Sequence, residues 1–191
     1  MNITIIGSGN MSNGISTRLT SGGHTVNVVT RDALATATIT DPVAILAVPY
    51  GAVANIVTTI KPQLSGKIVI DITNPLNATY DGLVTPVGSS AAEEIAKLLP
   101  ADTKLVKAFN TTFASTLVAG KVAGQPLDVF IAGDDAGAKK TVSELITSSG
   151  LHAIDAGTLS RARLLEAVGL LGIMLQDTLG TNFGSAWKIL S

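Results

Sequence analysis

Residues 7 to 10 read Gly-Ser-Gly-Asn, directly after the β-branched run Ile3-Thr4-Ile5-Ile6 and before a segment of helical period. Two glycines between a strand and a helix could do one particular kind of chemistry. Gly7 permits a tight turn, and Gly9, lacking Cβ, lets an anion approach the helix N-terminus, where main-chain amides and the helix dipole favour negative charge. The full dinucleotide fingerprint is G-x-G-x-x-G, and Ser12 stands here at its third glycine. The context strengthens the imperfect match: the motif follows a strand, opens a helix, and a second strand closes a unit of about 30 residues. Ser12 is small enough to keep helix and strand close, and Gly14 relieves crowding one turn later.

The end of the second strand distinguishes the two nicotinamide dinucleotides. An NAD site places Asp or Glu there for the ribose 2′-hydroxyl, whereas this chain has Thr30 and Arg31, which favours NADP. A guanidinium beside a 2′-phosphate contributes about 1.5 to 3 kcal/mol, or roughly ten- to a hundredfold in preference. If the strand runs two residues further, Asp32 takes the ribose position and NAD is preferred instead.

In an open parallel sheet, ligands lie outside the carboxyl ends of the strands, so other loops on that edge should complete the site. Pro49 and Tyr50 follow the third strand, Asn74 and Pro75 the fourth, and Asn110, Thr111 and Thr112 the fifth. Asn74, Asn110 and Thr111 could orient a carboxamide or an acceptor ring; Pro49, Tyr50 and Leu76 supply apolar walls. Tyr50 reads as a half-buried packing residue and Asp71 as structural rather than a base. His24 sits in a glycine turn and reads as solvated, and His152 reads as packed on a strand. No catalytic side chain is assigned. The loops hold no Ser-His-Asp set, no paired carboxylates and no lysine in an apolar setting, which suits hydride transfer between two bound rings, driven by positioning.

Short β-branched runs alternate with helical segments throughout, the pattern of an α/β fold: a doubly wound parallel sheet with crossover helices and a short C-terminal helical tail. Strands are expected at 2–6, 25–29, 43–48, 67–72, 104–109, 127–132 and 151–155, most of them apolar throughout as in sheets covered on both faces. Helices are expected at 10–21, 51–60, 90–99, 113–119, 135–149 and 159–190. Ser90 with Glu93 fits a capping box, and Asp134 or Asp135 could cap the 135–149 helix. The link from Val29 to Val43 is near the minimum of roughly a dozen residues for a parallel crossover, so no full helix fits there. A dinucleotide-binding domain over 1–157 is expected to carry the tail, 158–191, packed on it rather than independent.

The 191 residues carry a net charge of -1, 14% charged residues and no cysteine. Lys and Arg are scattered, so nucleic acid is not an expected partner. Two distant histidines without cysteine leave no metal-ligand spacing, and the longest apolar run, residues 167–175, is too short to span a bilayer. Without cysteines or a basic-apolar leader, a cytoplasmic protein is expected.

The segments ITIIGSGNMSNGIS, VVTRD, VAILAVPY, VIDITNPL, SSAAEEIAKLLP, LVKAFNTTFAS, DVFIAGDDAGAKK and HAIDAGTLSRARLLEAVGLL, in this order and spacing, resemble the NADP oxidoreductases that include the NADPH-dependent reductases of the 8-hydroxy-5-deazaflavin coenzyme. The cytoplasmic domains of the six-transmembrane ferric reductases look related too. The resemblance implies a Rossmann domain, bound NADP, and a flat small-molecule electron acceptor (deazaflavin, flavin or ferric chelate) stacked near the nicotinamide. It implies that Ser8, Gly9, Asn10 and Met11, beside Gly7, hold the pyrophosphate and ribose, and that Thr30 and Arg31 hold the 2′-phosphate. Ala47, Val48, Pro49 and Tyr50, with Asn74 and Pro75, would flank the nicotinamide half. Asn110 matches a position that carries histidine in the deazaflavin reductases and asparagine in the ferric-reductase branch. The short link after Arg31 leaves the adenine more exposed than in the family, and Asn110 puts a deazaflavin acceptor in question.

Two alternatives stay open: a pyrroline-carboxylate or imine reductase, whose start also reads GSGNM, and a sensor that binds NADP(H) without turnover. The apolar tail, LLEAVGLLGIMLQDTLG, shows more than one apolar face, which predicts a homodimer through it.

Overall fold

Ile3, Ile5, Val43, Ile45, Ile70 and Val106 point to one side of the sheet and Ile6, Ala44, Leu46, Val69 and Leu105 to the other, and each set is buried in its own core. This two-sided burial, at about 1.5 to 3 kcal/mol for each large aliphatic side chain, is why the strands lack the polar alternation of a half-wet sheet. The computed structural model describes residues 1–190. Its strands are β1 (Asn2–Ile6), β2 (Thr25–Val29), β3 (Val43–Leu46), β4 (Ile68–Asp71), β5 (Lys104–Lys107), β6 (Lys121–Val122), β7 (Gln125–Pro126), β8 (Asp128–Gly133) and β9 (His152–Gly157). The helices are α1 (Asn10–Ser21), α2 (Tyr50–Ile60), α3 (Ala91–Ala96), α4 (Ala114–Ala119), α5 (Ala136–Ser148) and α6 (Ala162–Leu179).

Seven strands form one sheet in the order β2-β1-β3-β4-β5-β8-β9, and β6 with β7 makes a separate short hairpin. The first five strands are mutually parallel. Residues of α1, α4 and α5 cover one face, with Ile15, Leu117 and Val142 at its centre; residues of α2 and α3 cover the other through Val53, Val57 and Ile95. The residues between β2 and β3 form turns, closed by Leu34 N–H to the Arg31 carbonyl at 3.3 Å and Ala37 N–H to the Ala33 carbonyl at 2.9 Å, with no full helix.

Two expectations about the elements themselves change. β8 pairs antiparallel with β5, so β8 and β9 run against the other strands; the connection through α4 and the β6–β7 hairpin returns the chain to the sheet from the opposite end. The last helix stops at Leu179 rather than reaching residue 190, because Gly180 takes a left-handed conformation, φ 61°, that ends it.

The segment after Gly180 is tied down without secondary structure. Gln176, on α6 and 4% exposed, donates to the Gly172 carbonyl at 2.7 Å and accepts from the Phe183 amide at 2.8 Å. Phe183 meets Phe113 edge to face at 5.2 Å. Buried Asp128 accepts from the Ile189 amide at 2.7 Å and from the Lys188 ammonium. Its carboxyl sits below the usual range: burial pushes it up, but the Ile189 amide, Lys188 and His152 outweigh that. His152 is thus not a packing residue; its ring is largely exposed and bonds Asp128 at 3.0 Å. His24 is not simply solvated either, since its Nε2 lies 2.8 Å from the Ser148 hydroxyl. Among the described residues, no helix is long and apolar enough to cross a membrane.

Candidate functional site

β1 ends where Gly7 takes φ +115°, and a Cβ built there would lie 2.1 Å from the Ala47 carbonyl oxygen. Only glycine passes between the two strand ends. At Gly9 the reverse holds: a Cβ would meet nothing within 4 Å, so its absence leaves room rather than relieving a clash. Gly9 is the N-cap of α1, with extended backbone; no side chain caps the helix and its first turn has no acidic residue. The first main-chain donors of a twelve-residue helix are therefore presented to whatever occupies the turn. Ser12 is buried, and a Cβ at Gly14 would fall 2.9 Å from the Ala114 carbonyl oxygen, which sets the close approach of α1 to α4.

β2 and β3 flank β1 on opposite sides, so chain direction across the sheet reverses at the β1/β3 ends. A cleft of about 280 Å³ opens there, lined by Gly7, Ser8, Gly9, Arg31, Leu34, Ala47, Val48 and Pro49, with Ile6, Ala52 and Ile56 as its floor. Arg31 lines it and its exposed neighbour Asp32 does not.

Pro49 also borders a second cavity of about 560 Å³, bounded by Tyr50, Gly51, Asn74, Leu76, Asn77, Ala78, Tyr80 and Val84. Most of this wall comes from the loop after β4, pinned by a bridge between Leu76 and Leu83. Asn77 organises its tip: its side-chain Oδ1 accepts from the main-chain amides of Asp81 and Gly82 at 3.1 and 3.3 Å, and its Nδ2 donates to the Asp81 carboxylate at 2.6 Å. Tyr80 is thereby held left-handed, φ 58°, a conformation that costs a bulky residue about 1 to 3 kcal/mol.

Beneath the loops lies a buried polar layer. Asn74 donates to the Asn110 carbonyl at 2.8 Å while Asn110 donates to Asn74 Oδ1 at 2.9 Å and to the Leu165 carbonyl of α6 at 2.8 Å. A Cβ at Gly169 would lie 2.7 Å from Asn74 Oδ1, so α6 braces the pair through a glycine. Phe109, just before Asn110, is also left-handed at φ 61°. Asn110 Oδ1, Thr111 Oγ1 and Thr73 Oγ1 are buried without a hydrogen-bond partner.

One layer deeper, the Lys107 ammonium contacts Asp71 at 2.8 Å, Glu166 at 2.7 Å and the Thr73 carbonyl at 2.5 Å, and all three charged side chains are shut off from solvent. Asp71 also accepts from the Thr73 amide at 2.8 Å. Glu166 takes the Ala91 amide at 2.9 Å, at the start of α3. Both sides of Thr73, the residue before Asn74, are therefore clamped. Burial raises the Glu166 carboxyl above its ordinary range, against the pull of Lys107. The Tyr50 hydroxyl is raised by burial first and then by the charges of Glu94, Glu166 and Asp71, with Lys107 opposing.

Of the residues singled out in the sequence, Gly7, Ser8, Gly9, Arg31, Ala47, Val48 and Pro49 line the first cleft, and Pro49, Tyr50 and Asn74 the second. Asn10 is exposed at the start of α1, and Met11 packs on the core. Thr30 is exposed beside the cleft, while Pro75, Asn110 and Thr111 are buried behind the walls. Tyr80, Lys107, Glu166 and Gly169 were not singled out. Asp81-Gly82 marks a turn and so pointed toward Tyr80; Lys107 and Glu166 find their partners only through the fold.

The sheet order, the glycine turn and the uncapped α1 define a Rossmann-type α/β domain, whose ligands lie at the reversal point of the sheet. No protein-family model matches the chain. It is 33% identical over 182 residues to the metalloreductase STEAP3 of Rattus norvegicus, covering 88% of this chain and 36% of that protein. It is 34% identical to an F420-dependent NADP reductase of Methanocaldococcus jannaschii, covering 66% of this chain and 58% of that one. Among solved structures, a candidate F420-dependent NADP reductase from Arthrobacter sp. FB24 superposes with a TM-score of 0.89 at 28% identity, covering 99% of each chain. Its curated homologues are thus named F420-dependent NADP reductase and STEAP3 metalloreductase, and its structural neighbour at TM-score 0.89 is a candidate F420-dependent NADP reductase. The chain spans between a third and three fifths of the length of these two curated relatives.

Proposed function

We propose that the chain is an NADP(H)-dependent oxidoreductase that transfers hydride between the nicotinamide and a flat redox acceptor. The observation that carries the reading is the uncapped α1 N-terminus at the Gly7–Gly9 turn, with Arg31 as the cation in the same cleft. The relatives named as NADP reductases support it. The residues present fit NADP: Gly9 leaves open space at the helix end, and unpartnered Asn110 and Thr111 oxygens lie behind the nicotinamide-side loop. NADPH, when bound, supplies the hydride.

The chain's part is positioning. Ser8, Gly9, Asn10 and Met11 offer the helix N-terminus to the pyrophosphate, and Thr30 and Arg31 hold the 2′-phosphate. Ala47, Val48, Pro49 and Tyr50 wall the nicotinamide half, with Asn74 and Pro75 kept in place by Asn110. The second cavity, across Pro49, receives the acceptor ring. No side chain need carry a proton in this reaction, because aligned donor and acceptor rings already remove most of the entropic barrier.

Isothermal titration with NADPH and anaerobic stopped-flow with flavin, deazaflavin and ferric chelate test the reading. Micromolar binding with oxidation of NADPH by a planar acceptor is expected. Failure of NADPH and NADP⁺ to bind at millimolar concentration refutes it; binding without turnover by any acceptor identifies a sensor instead.

The expected homodimer belongs to this proposal. Leu164, Leu171 and Met174 are about half exposed along one side of α6, and their spacing forms a stripe that a second copy can match isologously. Sedimentation of a monomer at micromolar concentration would exclude it.

A further inference from the structure

Resting on the reading that NADPH fills the first cleft, we infer that the adjoining cavity selects a planar acceptor without negative charge and discriminates against phosphorylated forms of the same ring. The cavity wall contains two tyrosines, Leu76, Val84 and Pro49, and its polar side chains are the neutral amides of Asn74 and Asn77; no lysine, arginine or histidine lines it. The one cation that acts on a wall residue, Lys107 on Tyr50, is already shared between Asp71 and Glu166.

The remaining charge at the mouth is negative. Asp81 follows Tyr80 on the rim, its carboxylate fixed by Thr79 and Asn77. Of the carboxylates that act on the Tyr50 hydroxyl, Asp71 and Glu166 share the single ammonium of Lys107. A flat ring gains apolar and aromatic contact from Tyr50 and Tyr80, whereas an anionic substituent meets no cation and a net negative field. The first cleft differs in this respect, since Arg31 lines it. Tyr80 is kept at the wall in a strained backbone conformation by the Asn77 network, which places its ring there before any ligand arrives.

In the reaction the acceptor ring takes up one hydride from NADPH and one proton from water. A flavin becomes its dihydro form, a para-quinone its hydroquinone, and NADP⁺ is the other product.

Steady-state kinetics with matched pairs test the inference: riboflavin against flavin mononucleotide, and menadione against a naphthoquinone sulfonate, with NADPH binding measured separately by calorimetry. The uncharged member of each pair is expected to have the higher kcat/KM, by roughly five- to tenfold at low salt, with the gap closing as ionic strength approaches about 1 M. Tyr80→Lys is expected to narrow or invert the ratio while leaving NADPH affinity unchanged. A protein that binds NADPH but uses the anionic members as well as the neutral ones, or oxidises NADPH with neither, overturns the inference and leaves cofactor binding standing. Loss of NADPH binding in the parent chain overturns both.

Discussion

Lys107 on β5 and Glu166 on α6, 59 positions apart, meet at 2.7 Å with neither side chain reaching solvent. Together with Asp71 they fix the Thr73 peptide from both sides, and Thr73 leads directly into the Asn74 wall. Lys107→Met leaves two buried carboxylates facing each other without a cation, and removing one partner of such a set costs about 3 to 5 kcal/mol. Urea unfolding should show that loss, and Glu166→Gln, which removes one of the two negative charges, should cost less. Equal and negligible effects would mean that the triad adds nothing.

The two glycines of the first turn should fail differently. Gly7→Ala forces a Cβ to 2.1 Å from the Ala47 carbonyl oxygen at positive φ, so the variant should unfold at markedly lower urea or be insoluble. Gly9→Ala meets no protein atom and should keep the parental melting temperature while losing NADPH affinity at least about tenfold, about 1.4 kcal/mol of binding. Calorimetry and thermal melts on the two variants separate a fold glycine from a ligand glycine.

Arg31→Ala should raise the Kd for NADPH about ten- to a hundredfold, the value of a charge-assisted contact with the 2′-phosphate, and leave that for NADH nearly unchanged. Equal losses for the two dinucleotides would reassign Arg31 to a general charge effect.

Asp128 links the C-terminal segment to pH. Its folded carboxyl lies below the ordinary value of 3.8, so the unfolded chain binds the proton first as pH drops. The stabilisation is complete above pH 3.8 and disappears as pH falls through the folded value. The single tryptophan, Trp187, packs against Gly172 beside this anchor. Its emission should therefore shift red in acid, and Asp128→Asn should produce much of the shift at neutral pH. An unchanged spectrum in the variant would show that Lys188 and Ile189 are held by other contacts.

What could be read from sequence follows the range of the interactions involved. α1 occupies the expected residues 10–21, β1 and β2 match their expected spans, and Asp135 caps α5 through the Ala138 amide at 2.8 Å, because glycine turns, caps and β-branched runs act over a few residues. The Ser90–Glu93 box formed only in part. Ser90 caps the Glu93 amide at 3.1 Å, but the Glu93 carboxylate turns to the Ser90 hydroxyl and to Arg163. That choice depends on where α6 packs. The same holds for the direction of β8, for His152 against Asp128, and for Lys107, whose carboxylate partners lie 36 and 59 residues away. The walls of the site were legible as loops with Asn-Pro and Val-Pro steps, and the bracing behind them was not, since Gly169 looks like any helix glycine until Asn74 is placed against it.

Turns replace a crossover helix after Arg31, and of the residues between β2 and β3 only Arg31 and Leu34 line the first cleft. A coenzyme seated there could come and go by simple diffusion, with no door to open. Selectivity must then come from what the phosphates touch, and the base at the far end would be sampled by solvent throughout the cycle.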